Sequence, residues 1–223
     1  LSANLKVDYY GVIPVMASRT TPLNDPLNYF IKRLFDIVFS TFVIIFIMSW
    51  LTPLIAILIR LESKGPIFFK QKRNGLDYEE FNCYKFRSMF VNENADIDEA
   101  VKNDPRITKV GAFIRRTSID EMPQFFNVFV GTMSVVGPRP HMLNFTEKYA
   151  VKVNKFKARH FIKPGITGMA QTHGYRGEIE NDTDIINRIK YDIFYMESWS
   201  LLLDMKIIYL TVKNAIKGEK KAY

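Results

Sequence analysis

The stretch RRTSIDEMPQFFNVFVG sets two carboxylates, Asp120 and Glu121, side by side, behind Arg115 and Arg116 and just ahead of Pro123. An ionised carboxylate beside guanidinium groups suits phosphate chemistry: the carboxylate can attack a phosphoryl group while the arginines hold the anion. Adjacent helix positions do not face each other, so the two are poorly placed to flank a glycosidic bond as a paired acid and base. They call for two different roles. A structural role is compatible with the chemical one. Ser118-x-x-Glu121 fits a capping box, and Asp120 would lie in a first turn whose dipole lowers its pKa and whose free N–H groups gather phosphate.

Other cationic residues recur in stiff or glycine-rich settings. In SVVGPRP, Arg139 stands between Pro138 and Pro140, which leave its backbone little freedom to lose, and an arginine grips phosphate with two donors. YKFRSM offers Lys85 and Arg87, on one face if the segment is a strand. KPGITGMAQTHGYRGE combines glycines with Lys163, His173, Tyr175 and Arg176, a composition suited to a loop around a charged ligand. Taken singly, each also reads as a surface turn or a solvated strand edge. Together they point to phosphate chemistry.

The elements that must position these groups begin with residues 1–28, proline-rich and without periodicity, which read as a linker or extended arm. Residues 29–62 follow, uncharged from Ile37 to Ile59, a run that at roughly 1.5 Å per residue could cross a bilayer core as a helix. Pro53, preceded by Thr52, would kink that helix. Lys32 and Arg33 lie before it and Arg60, Lys64, Lys70, Lys72 and Arg73 after it. Lys and Arg collect on cytoplasmic flanks. Basic flanks at both ends therefore predict a re-entrant membrane hairpin bent near Pro53, with a single kinked span as the alternative.

Residues 63–223 read as a polar domain. GPIFFKQKRNG and YEEFNCYKFRSM predict a β-hairpin turning at Asn74-Gly75. Residues 91–104 predict a solvated helix or loop, and 118–130 and 141–160 have helical spacing. Residues from Ile186 onward repeat apolar positions at three and four, predicting one or two amphipathic helices. There Tyr191, Tyr195 and Trp199 suit a membrane interface or, equally, the domain's own core. The fold class is thus α+β and mostly helical: a re-entrant membrane hairpin, a small β-hairpin and amphipathic interfacial helices.

The totals bound the partners. The 223 residues carry a formal net charge of +8, which favours anionic partners. A single cysteine, Cys83, excludes an internal disulfide framework and a cysteine-built zinc site, and three scattered histidines do not make a metal cluster. The chain opens on Leu1, not Met, which suggests the tail of a longer protein.

From about Asn28 onward the chain resembles the bacterial sugar transferases, the monotopic polyprenyl-phosphate phosphoglycosyl transferases. The resemblance rests on five ordered blocks: KRLFDI, GPIFFKQKRNG, YKFRSM, RRTSIDEMPQFFNVFVGTMSVVGPRP and KPGITGMAQTHGYRGE. It implies transfer of a sugar 1-phosphate from a UDP-sugar to undecaprenyl phosphate, with UMP released and Mg²⁺ required. Asp120 matches the family's nucleophile, which forms a covalent phospho-sugar intermediate, and Glu121 its partner in metal binding or transfer. Both are therefore candidate metal ligands. Lys85 matches an essential lysine, Arg115 and Arg139 match phosphate-binding arginines, Arg87 shares the lysine's block, and Arg176 falls in the loop expected to meet the nucleotide. Pro53 matches the helix-breaking proline, with Thr52 where many members have serine. The ending HGYRGE is most similar to glucose- and galactose-phosphate transferases that start exopolysaccharide, capsule or O-antigen assembly. The proline-rich start resembles the linker of long members, so the chain would be their catalytic half, at the bacterial inner membrane with its site facing the cytoplasm. The implied partners are UDP-sugar, undecaprenyl phosphate and membrane lipids, with no nucleic acid and with a homo-oligomer left open. The main rival is a non-catalytic module binding anionic lipid or nucleic acid; a membrane-anchored metal phosphodiesterase would need more His and carboxylate ligands.

Overall fold

The computed structural model describes residues 5–10, 13–18, 21–91, 104–143, 156–177 and 181–217. Among these the chain is mostly helical. Strands β1 (Leu5–Tyr10) and β2 (Ile13–Ser18) pair antiparallel within the segment expected to be a linker or extended arm. Pro14 is tolerated there because a two-stranded sheet is all edge.

The apolar segment is one helix from Pro26 to Glu62. It comprises α1 (Pro26–Val43), a π-helical stretch (Ile44–Met48) and α2 (Ser49–Glu62), which contains Thr52 and Pro53. Asp25 caps its start, accepting from the N–H groups of Leu27 and Asn28. The buried stripe runs Lys32, Asp36, Ser40, Val43, then Met48, Leu51, Ile55, Ile59. It repeats at three and four except for the step from Val43 to Met48, where the π stretch adds a residue. That inserted residue keeps one face against the domain along the whole helix. The opposite face exposes Leu34, Val38, Phe46, Trp50, Ile57 and Leu61. Local pattern thus makes the helix, and tertiary packing determines where its period slips.

Strands β3 (Phe68–Asn74) and β4 (Glu80–Phe86) form the expected antiparallel hairpin. Its turn is longer than the Asn74-Gly75 pair suggested: Gly75 N–H donates to Glu79 O at 2.8 Å, and the left-handed residues are Asp77 and Tyr78. Helix α3 (Lys109–Arg116) is capped by Thr108, and the N–H groups of Lys109 and Val110 donate to Glu62. A 3₁₀ turn (Ile119–Glu121) and α4 (Gln124–Val130) follow, with Pro123 just ahead of α4, where its missing N–H is harmless. Strands β5 (Ser134–Val136) and β6 (Gly165–Thr167) pair in parallel. A short helix α5 (Met169–Thr172), then α6 (Asp182–Glu197) and α7 (Leu201–Lys217) complete the described chain. The expected solvated segment at 91–104 falls almost wholly outside the described residues. So does most of the helical expectation at 141–160, whose described end, Phe156–Phe161, is a 3₁₀ helix.

The main core joins α1, α4, β5, α6 and α7 through Val43, Phe125, Val128, Val136, Tyr195, Trp199 and Ile207. A second cluster links α2 to α3 and β4 through Leu51, Ile55, Ile59, Phe86 and Ile114. Tyr195 and Trp199 therefore belong to the core, not to an exposed interface: both donate to the fully buried Asp204. The two basic residues ahead of the apolar run are also structural. Lys32 pairs with Asp204 at 2.7 Å. Arg33 donates to the carbonyls of Val128 and Phe129 at the C-terminus of α4, satisfying groups the helix leaves open.

Candidate active site

Three parts of the chain converge on Glu121. From β4, Lys85 Nζ lies 2.9 Å from Oε1. From the segment after β5, Arg139 Nη2 lies 2.7 Å from Oε1 and Nη1 lies 3.3 Å from Oε2. From the loop after α5, Arg176 Nη2 lies 3.4 Å from Oε2 and donates to Ser118 Oγ at 2.7 Å. Glu121 itself is buried at 6% exposure, as is Asp120 at 7%.

The turn carrying the carboxylates differs from the expected capping box. Ser118 has φ 61°, in the left-handed region, and its hydroxyl makes no cap; it receives Arg176 instead. A non-glycine residue in that region carries strain. Here it reverses the chain between α3 and the 3₁₀ turn, so that both acids enter the interior. Capping would have left Glu121 facing its own backbone.

The two carboxylates end in different states. Burial alone would raise the pKa of Glu121, but Arg139, Lys85 and Arg176 outweigh it and hold the group well below the usual range. For Asp120 burial wins: it raises the pKa, helped by the charge of Glu121, against Lys85, Arg115 and Arg139. The expectation that a helix start would lower it is therefore overturned, because loss of water outweighs one short turn's dipole. Among the described residues no hydrogen bond reaches the Asp120 carboxylate.

If turnover needs ionised Asp120, a profile of kcat/KM against pH should fall on its acid side at a pH above that of an ordinary aspartate. The same shift means the folded chain holds a proton the unfolded chain has released. On this group's account stability is greatest below the ordinary Asp range and declines as pH rises through the raised pKa.

Arg139 is held from both sides along its backbone. Arg73 Nη1 donates to Pro140 O at 2.7 Å, and Arg159 Nη2 donates to Arg139 O at 2.8 Å. Arg159 is fully buried and paired with Asp192 of α6 at 2.9 Å. The two prolines were legible as stiffeners. The two arginines were not, since each lies far away in sequence. Gly137 and Gly165 let the segment pass against β6: a Cβ on Gly165 would stand 2.1 Å from Gly137 N.

Of the residues singled out from sequence, Asp120, Glu121, Lys85, Arg139 and Arg176 come together, and Arg115 acts on Asp120 through its charge. Arg87 does not join them. Its guanidinium donates to the carbonyls of Ser63 and Lys64 at the end of α2. His173 stacks on Tyr191, ring centroids 4.6 Å apart.

For a magnesium ion the site offers Asp120, whose oxygens no described hydrogen bond claims, while both Glu121 oxygens carry cations. No group of three His, Cys, Asp or Glu gathers among the described residues. The donor set fits an ion that draws most of its ligands from water and phosphate, as Mg²⁺ does.

Comparison with known proteins gives a consistent picture. Residues 27–218 match the family model described as bacterial sugar transferase. The UDP-glucose:undecaprenyl-phosphate glucose-1-phosphate transferase of Klebsiella pneumoniae is 48% identical over 214 residues, covering 95% of this chain and 45% of that protein. The protein of the same name from Escherichia coli (strain K12) is 45% identical over 201 residues, covering 90% of this chain and 43% of that protein. The exopolysaccharide production protein PSS of Rhizobium leguminosarum bv. phaseoli is 40% identical over 199 residues, covering 87% of this chain and 99% of that protein. The chain thus spans about half the length of the first two relatives.

Proposed function

The chain belongs to the bacterial sugar transferase family, and from that premise we propose that it transfers a hexose 1-phosphate, glucose or galactose, from a UDP-sugar to undecaprenyl phosphate. The observation that carries the reading is the contrast between the carboxylates. Glu121 is clamped by three cations, while Asp120 beside it is buried and without a hydrogen bond among the described residues. An anion drawn to those cations would meet an oxygen of Asp120.

An Asp120 oxygen attacks the sugar-linked phosphorus and forms an acyl-phosphate bond as the phosphoanhydride bond breaks and UMP leaves. A phosphate oxygen of undecaprenyl phosphate then attacks the same phosphorus and releases the Asp120 carboxylate. Lys85, Arg139 and Arg176 neutralise the diphosphate, and Arg115 adds to the local positive potential. Bound Mg²⁺, held through Asp120, would supply further neutralisation of the diphosphate. Sharing one carboxylate between two substrates implies ping-pong kinetics. The test is radiolabelled UDP-glucose with undecaprenyl phosphate and Mg²⁺: lipid-linked label together with UMP supports the reading. Salt-sensitive lipid or DNA binding without UMP release would favour the binding module instead.

The membrane mode is also proposed. The apolar helix enters and leaves on one side of the bilayer, keeping the site at headgroup depth and facing the cytoplasm of the inner membrane. Support comes from both ends being tied to the same domain: Lys32 to Asp204 near the start, and Glu62 to the N–H groups of α3 at the finish. A simple span would carry its two ends to opposite faces. Single cysteines placed at Asn28 and Leu61 should both resist an impermeant thiol reagent added outside intact cells. External labelling of Asn28→Cys would establish a true span.

A further inference from the structure

The charge at the site exceeds what ion pairing requires. One carboxylate, Glu121, meets Lys85, Arg139 and Arg176, and all four side chains are at most a quarter exposed. In the absence of an anion, three cations held this close and this dry would repel one another at considerable cost. The contacts Arg139 makes, two N–H donors onto two oxygens, are also those it would make to a phosphate.

We infer that Glu121 is an internal stand-in for the substrate's diphosphate: it holds Lys85, Arg139 and Arg176 in their anion-binding positions and yields them when the nucleotide arrives. The inference rests on the proposed function and concerns the same site. Three observations carry it. The cations come from three separate elements and meet on this one carboxylate. Arg176 Nη2 donates to Ser118 Oγ at 2.7 Å and makes a longer contact with Glu121 at 3.4 Å, so trading the longer contact for a new anion leaves the Ser118 anchor in place. Asp120, immediately before Glu121 in the chain, makes no competing hydrogen bond among the described residues.

The handover has a physical consequence. Every nucleotide must displace an internal competitor, so its apparent affinity is reduced by the fraction of sites that Glu121 occupies. The cations stay organised between turnovers, and the released carboxylate becomes available for other duties only in the loaded site.

The test is binding of UDP to the full chain in detergent with EDTA present, by calorimetry, comparing native protein with Glu121→Gln. The variant keeps the shape and loses the competing charge, so it should bind UDP about tenfold more tightly, with uridine unchanged because it has no phosphate. Equal or weaker UDP binding by the variant would overturn the inference, as would tighter binding of uridine to the same degree. If the variant melts early, pyrophosphate at millimolar concentration should restore its melting transition more than it raises that of the native protein. An early transition that pyrophosphate leaves unmoved would also overturn it. Failure of the underlying functional reading looks different: neither protein would bind UDP, with or without Mg²⁺.

Discussion

Replacement of Asp120 by Asn should lower sugar-phosphate transfer by roughly four orders of magnitude or more, the scale seen when a covalent nucleophile is removed. The fold should not suffer. Asp120 is buried, makes no hydrogen bond among the described residues, and has its pKa raised by desolvation, so its charged form opposes folding near neutral pH. An amide of the same shape removes that opposition, and the melting temperature should hold steady or rise. This is the trade expected where an active site keeps a costly group for its chemistry. Two measurements separate a nucleophile from a mere phosphate neighbour. Label from UDP-[¹⁴C]glucose should remain on denatured native protein when the lipid acceptor is withheld, and should be absent from Asp120→Asn. Retained label in the variant, or near-native turnover, would sink the assignment.

Replacement of Asp204 by Ala should destabilise the chain by about 3–5 kcal/mol, the usual cost of leaving a buried charge without its partner. Asp204 has no exposed surface and serves three donors at once: Lys32 Nζ at 2.7 Å, Tyr195 OH at 2.7 Å and Trp199 Nε1 at 3.2 Å. For a chain this long the loss corresponds to a drop in melting temperature of about 10 °C. Asp204→Asn, which keeps an acceptor but not the charge, should lose less. The double variant Lys32→Met with Asp204→Leu should recover much of the loss, because a well-packed apolar pair often equals a buried ion pair. A change within about 0.5 kcal/mol for Asp204→Ala would place it among ordinary surface substitutions and refute the anchoring role. Since Lys32 lies on α1 and Asp204 on α7, the same variant should also loosen the hold of the domain on its apolar helix.

Much of the site is legible in the order of residues alone. Asp120 and Glu121 are adjacent in the chain, Arg139 is bracketed by prolines, and the uncharged run ends in basic residues at both sides. Such features are local: covalent adjacency and short periodicity carry them directly. The β3–β4 hairpin and the helical character of residues 182–217 are readable for the same reason. Lys32 and Arg33 show the limit of that reading. Their placement beside an apolar run looks like a topology signal. Their partners, Asp204 and the α4 carbonyls, lie far along the chain and leave no mark near them.

By itself the sequence determined which chemistry was on offer: a carboxylate pair, rigid arginines and a lysine in five ordered blocks, after an apolar run long enough to cross a bilayer. Only the tertiary structure decided how those groups divide the work. It turned Ser118 into the left-handed region, brought three cations onto Glu121 and left Asp120 without a hydrogen bond among the described residues. It also sent Arg87 to the end of α2 and raised the pKa of Asp120 where a helix start alone would have lowered it. The physical reason is range. A residue's type and its neighbours set what it can do, but ion pairing and desolvation depend on what packs around it from distant parts of the chain, and that is known only once the chain has closed on itself.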